Sequence, residues 1–176
     1  MKLNMTSVFS SPFLFVVNAD PLCRPVTYYK VTCVYTSTVM DQTRNEGDPV
    51  QAWKFHGGGN QLWAFEPATF APMYWIKHIP TNLVIQTGTS SCIGATRTDD
   101  ADQLLSQLWL VQGREDDNNV IIRSAKAANG LVLDLSGNSI KDGTPILAWN
   151  YHGGQNQQWT IAKASNSNGY VLFTCA

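Results

Sequence analysis

The sequence has 176 residues, of which 44% are hydrophobic and only 14% charged, with a formal net charge of -1. That length buries one ordinary core and is short for two, so a single domain is expected. With no run of Lys or Arg, the charge balance excludes the electrostatic footprint of a nucleic-acid or anionic-membrane binder.

In chain order, residues 1–19 (MKLNMTSVFSSPFLFVVNA) join Lys2 to an apolar stretch from Val8 to Val17, interrupted by Ser10, Ser11 and Pro12. Two readings stay open. One is a secretory signal cleaved before Asp20, which places the mature protein outside the cell. The other is an N-terminal extension over residues 1–25 of a cytoplasmic protein. The stretch is too short to cross a bilayer, so no membrane insertion is expected. The four cysteines, Cys23, Cys33, Cys92 and Cys175, lie far apart, with no C-x-x-C pair and no histidine at metal-ligand spacing. No metal site and no cofactor are expected. An even count fits two disulfides in any of three connectivities, and equally four reduced thiols.

From residue 26 onward the pattern is one of short strands and turns. Thirteen glycines, eight prolines and six tryptophans fall among Asn-, Asp- and Ser-rich breaks, and no window carries the apolar stripe of a long helix. The runs TYYKVTCVYTSTVMD, MYWIKHIPTNLVIQ and VIIRSAKAANGLVLD each open with β-branched or aromatic residues, break at a turn and resume, which predicts a hairpin. A third strand follows (PVQAW, PILAW), then a fourth (QLWAF, QLWLV, QQWTI). Each fourth strand opens on a Gln-x-Trp triplet, at Gln61, Gln107 and Gln157, spaced by 46 and 50 residues. The chain therefore reads as a threefold repeat over about 26–66, 70–112 and 118–163. Some twelve strands are expected, the number for a barrel closed by a hairpin cap.

Between the first and third repeats the agreement is closer than a barrel core requires. From Trp53 to Trp63, and from Trp149 to Trp159, both read W-x-x-H-G-G-x-N-Q-x-W without a gap. These triplets and runs resemble the ricin-type lectins, with the fungal fruiting-body members nearest, over about Val26 to Lys163. The resemblance implies an all-β fold, a β-trefoil with three Q-x-W repeats in one domain over 26–176, and a carbohydrate-binding, non-catalytic function.

A sugar site in water needs a flat apolar face for the ring and planar polar groups for its hydroxyls. The resemblance implies Asp41, Trp53 and Asn60 in the first repeat, and Asp134, Trp149 and Asn156 in the third, as carboxylate, stacking ring and amide. His56 and His152, three residues after each Trp, stand where a hydroxyl contact or a turn-stabilising role would place them. The two glycines after each His are expected to take positive φ. Gln61 and Gln157 are carried with the site, although a glutamine there also suits backbone groups inside the repeat. Trp63, Trp109 and Trp159 are expected in the core.

In the middle repeat Gln86 takes the Asp position, Ser106 the Asn position and, counting back seven places, Asp99 the Trp position, so binding is expected to be lost there. The loop between Asp41 and Gly47 is three residues shorter than that between Asp134 and Gly143, which could tilt Asp41 out of the first site. The implied ligands are galactose or N-acetylgalactosamine on glycoprotein or glycolipid glycans, bound at two sites. A homodimer would need an exposed apolar patch that sequence does not locate. No G-x-S-x-G, H-E-x-x-H or Cys/His signature points to catalysis. The alternative is a β-trefoil protease inhibitor acting through surface loops.

Overall fold

The computed structural model describes residues 24–25, 27–113, 119–126, 130–164 and 173–174. The 1–19 segment, Cys23 and Cys175 lie outside the described residues. Contacts divide the chain into two units, Met1–Val26 with Gly169–Ala176, and Thr27–Asn168. In the first, β1 (Arg24–Pro25) pairs antiparallel with the last strand of the chain, at Phe173–Thr174.

Among the described residues, the second unit holds twelve strands in one sheet, four to a repeat. They are β2 (Tyr29–Cys33), β3 (Val39–Gln42), β4 (Val50–Trp53) and β5 (Trp63–Pro67); then β6 (Met73–His78), β7 (Val84–Thr87), β8 (Cys92–Ala95) and β9 (Leu108–Gln112); then β10 (Ile121–Ser124), β11 (Leu131–Leu135), β12 (Thr144–Asn150) and β13 (Trp159–Lys163). The C-terminal pair member is β14. The first and fourth strands of each repeat form a closed ring: β2 pairs β5, β5 pairs β6, β6 pairs β9, β9 pairs β10 and β13 pairs β2. A bridge between Val120 and Trp159 completes it. The second and third strands make the hairpins β3–β4, β7–β8 and β11–β12, and β4 joins β12. A six-stranded barrel capped by three hairpins is a β-trefoil, and ring closure leaves the barrel without an open edge.

The Q-x-W spacing has a packing cause. Trp63, Trp109 and Trp159 are wholly buried, and each indole N–H donates to a backbone carbonyl of its own repeat: Met40 at 3.1 Å, Ile85 at 2.9 Å and Leu133 at 3.1 Å. Each ring thus fills the barrel and satisfies its one donor inside it. Val31, Ile76 and Ile122 lie in the same cluster at matching places on the three first strands. Cys33 and Cys92 are buried free thiols, and burial pushes the Cys92 thiol upward.

The middle repeat departs from its neighbours between its third and fourth strands. There α1 (Ala101–Gln107) is a two-turn helix whose N-terminus is capped by Asp100, accepting from the Asp102 N–H at 2.9 Å.

Candidate carbohydrate site

In each outer repeat the last residue but one of the second strand is a buried aspartate that the Asn-Gln pair grips from the fourth-strand side. Asp41 Oδ2 accepts from Asn60 Nδ2 at 2.6 Å and Gln61 Nε2 at 3.1 Å. Asp134 Oδ2 accepts from Asn156 Nδ2 at 3.0 Å and Gln157 Nε2 at 2.8 Å. Both carboxylates are more than nine-tenths buried. The three-residue difference in loop length therefore leaves Asp41 in the same setting as Asp134. In both, Oδ2 takes all the protein donors, and among the described residues no donor reaches Oδ1. That oxygen is an acceptor without a protein donor.

The histidines take the turn-stabilising role, one of the two the sequence left open. Nδ1 of His56 accepts from the Gly58 N–H, and Nδ1 of His152 from the Gly154 N–H, each at 3.2 Å. The neutral ring then carries its proton on Nε2. That atom stands 3.5 Å from Asp41 Oδ2 in the first repeat and 3.3 Å from Asp134 Oδ2 in the third. Each ring is about half exposed, so it stabilises the turn while forming the rim above the carboxylate.

Gln61 and Gln157 sit elsewhere than the sequence grouping suggests. Both are wholly buried. Gln61 donates to Asp41 and to the Lys54 carbonyl and accepts the His56 N–H; Gln157 donates to Asp134 and to the Asn150 carbonyl and accepts the His152 N–H. Their polar atoms are occupied within the repeat, and their part is to hold the carboxylate and the turn. They do not face outward.

The paired glycines also differ from expectation. Gly57 and Gly153 take positive φ, at 74° and 77°. Gly58 and Gly154 are extended, with φ of -70° and -67°, a conformation open to any residue. Glycine is needed there for space: a Cβ on Gly154 would stand 2.5 Å from Asn156 Oδ1 and 2.6 Å from His152 Cε1, and Gly58 meets the same crowding from Asn60 and His56. Gly154→Ala is expected to displace Asn156 and His152 from Asp134 and to weaken ligand binding at that site by about tenfold or more. The thermal midpoint should move by only a few degrees. Calorimetry and thermal melts on the one variant check both.

The tryptophans separate into two classes. Trp149 is 56% exposed, and Trp53 is partly exposed, while the three Q-x-W rings are wholly buried. Trp53 is the more covered because the third-repeat loop runs against it: a Cβ on Gly143 would lie 3.6 Å from its ring, and Asp142 accepts the Lys54 N–H at 2.7 Å. The corresponding loop of the middle repeat spans only 88–91, between β7 and β8.

In the middle repeat the register corrects the sequence count. Trp53 lies opposite Val39 and Trp149 opposite Val132; the equivalent residue opposite Val84 is Ala95, not Asp99. The ungapped count fails because four extra residues separate Ala95 from Gln107, taken up at α1. Gln86 receives the Gln107 amide at 2.7 Å, and Gln107 accepts the Thr98 N–H at 3.0 Å, as Gln61 accepts that of His56. This repeat keeps the Gln clamp and lacks the carboxylate and the ring.

Around Asp41 opens a cleft of about 750 Å³, lined by Trp53, His56 and Asn60 and also by Arg44, Gln42 and His78, among others. Sequence reasoning missed the last three. His78 comes from the next repeat, where no within-repeat spacing could reveal it. Burial pushes its pKa down, against the opposing influence of the Asn60 backbone and the Asp41 charge.

Residues 105–176 match the family model described as ricin-type beta-trefoil lectin domain-like. No curated protein matches the sequence. Among solved structures, a designed threefold-symmetric protein, ThreeFoil, superposes with a TM-score of 0.67 at 20% identity, covering 76% of this chain and 96% of that one. The Rhizoctonia solani agglutinin gives 0.66 at 21% identity, over 82% of this chain and 100% of that one. The Macrolepiota procera ricin B-like lectin, solved in complex with lactose, gives 0.62 at 24% identity, over 78% and 95%. At these identities the structural likeness is one of fold, and with the family match it bears out the resemblance read from the Q-x-W repeats.

Proposed function

We propose that this chain, a β-trefoil whose residues 105–176 match the ricin-type lectin domain, is a non-catalytic lectin. It binds galactose or N-acetylgalactosamine rings at two sites, in the first and third repeats. The observation that carries the reading is the duplicated cluster of Asp, Asn and His beside a surface Trp, with the acceptor Oδ1 left open in both copies. An axial hydroxyl would donate to Oδ1 while the apolar face beside it stacks on Trp53 or Trp149. Asn60 and Asn156 have a carbonyl oxygen to offer a neighbouring hydroxyl, and the His Nε2 edge borders the same space.

One stacked ring with a few hydrogen bonds exchanged for water yields about -4 to -5 kcal/mol, near millimolar. Binding to cells then rests on avidity, which raises apparent affinity by about two to four orders of magnitude when two sites engage together. The test sets red-cell agglutination, with its inhibition by galactosides, against inhibition of papain and trypsin. Galactoside-reversible agglutination without protease inhibition is the expected result. Protease inhibition without agglutination would reassign the chain to the loop-acting β-trefoil inhibitors.

A further inference from the structure

The two clusters are built on one plan, but their surroundings are not alike. Three places after Asp41 stands Arg44, exposed and lining the first-repeat cleft; three places after Asp134 stands Gly137. Arg44 forms no ion pair among the described residues, although two carboxylates lie close by in sequence. Glu46 is turned to the Thr96 N–H at 2.7 Å. Asp48 accepts from Thr43 Oγ1 and from Asn45 Nδ2. Those bonds hold both acids well ionised, below their ordinary range, and fix the loop on either side of Arg44 without neutralising it.

The floor of the same cleft is polar in a way the third repeat does not reproduce. Gln42 and His78 border it, both wholly buried; the Gln42 amide lies against Gly94 on β8, away from the cleft lining, and among the described residues His78 Nε2 has no hydrogen-bond partner. The positions matching them behind Asp134 are Leu135, next along the strand, and Cys33, which lies opposite Trp159 as His78 lies opposite Trp63. Among the described residues, the one acid lining the cleft, Asp41, sits at its base with Oδ2 engaged by two amides, and the one cation on its wall is Arg44.

From this asymmetry we infer that the two sites have diverged. The first-repeat cleft takes a galactoside carrying an anionic substituent, a carboxylate or a sulfate, whose charge is held by Arg44; the third-repeat site takes the neutral ring. This rests on the lectin reading above. A guanidinium presents paired donors matched to either oxyanion, and at a partly enclosed cleft such a charge-assisted contact discriminates where a neutral hydroxyl does not.

The experiment is titration calorimetry with three probes, lactose, sialyllactose and sulfated lactose, on the parent chain and on Arg44→Gln and Lys141→Gln. Lys141, a base in the longer third-repeat loop, controls for a general effect of charge. The readout is the ratio of anionic to neutral affinity at each site. The expected result is about a tenfold preference for one of the anionic probes at one site per chain. That preference should collapse in Arg44→Gln, persist in Lys141→Gln and shrink as salt is raised. Which probe shows it distinguishes carboxylate from sulfate. Two lactose sites filled with no anionic preference, a preference that survives Arg44→Gln, or one lost in Lys141→Gln would overturn the inference while leaving the lectin reading intact. Failure of all three probes to bind would overturn both.

Discussion

Trp159→Ala should cost about 3–5 kcal/mol of stability, while Trp149→Ala, ten residues earlier in the same repeat, should cost less than about 1 kcal/mol and abolish binding at its site. The two rings differ in setting alone. Trp159 is wholly buried in the barrel and donates to the Leu133 carbonyl. Its removal opens a large cavity and orphans an acceptor that no water easily reaches. For a domain of this size the melting temperature should fall by about ten degrees or more. Trp149 is 56% exposed, and its loss removes a surface platform. Melting curves and galactoside titrations on both variants decide the matter: a Trp149→Ala protein as unstable as Trp159→Ala would make that ring a core residue and remove the stacking face from the account.

The second large effect is expected from Asp41→Asn with Asp134→Asn. The double variant should fold and lose galactoside binding at both sites, by about tenfold to a hundredfold at each. The middle repeat supplies the reason to expect folding, since Gln86 there stands in for the aspartate and its amide oxygen satisfies Gln107. An asparagine can do the same for Gln61 or Gln157 by turning its oxygen inward. Its NH₂ then points out, and the acceptor that a hydroxyl needs has become a donor. A soluble double variant with parental melting temperature and parental binding would show that the carboxylates are scaffold alone.

The parts of this fold that were legible in sequence are those where one residue answers two demands. Each Q-x-W tryptophan must fill the barrel and place its N–H on a carbonyl of its own repeat, so its spacing to the second strand is tightly held and visible as a repeat. The Asp, Asn and Gln of the outer repeats stand out as a set for the same reason, because their hydrogen bonds to one another bind them to one register, but the repeat alone does not separate Gln61 and Gln157, which clamp the carboxylate from inside, from residues that face outward. Ala95 was missed because counting back from Ser106 assumes equal loops, and the helix from Ala101 to Gln107 breaks that assumption. Gly58 and Gly154 were assigned positive φ because glycine's freedom is its commonest use, whereas here the lack of a Cβ beside Asn and His decides. His78 was beyond reach for a deeper reason. It serves the first-repeat cleft from the strand of another repeat, and the antiparallel pairing of β5 with β6 across the repeat boundary brings them together.

The central claim is that two of three repeats bind sugar, and counting bound ligand tests it most directly. Calorimetric titration of the parent chain with lactose should give two sites per chain, falling to one in Trp149→Ala. A stoichiometry of three would place a ligand on a repeat that has neither carboxylate nor ring, and no binding at all would leave the paired clusters as structural features of the β-trefoil; either result would contradict the account.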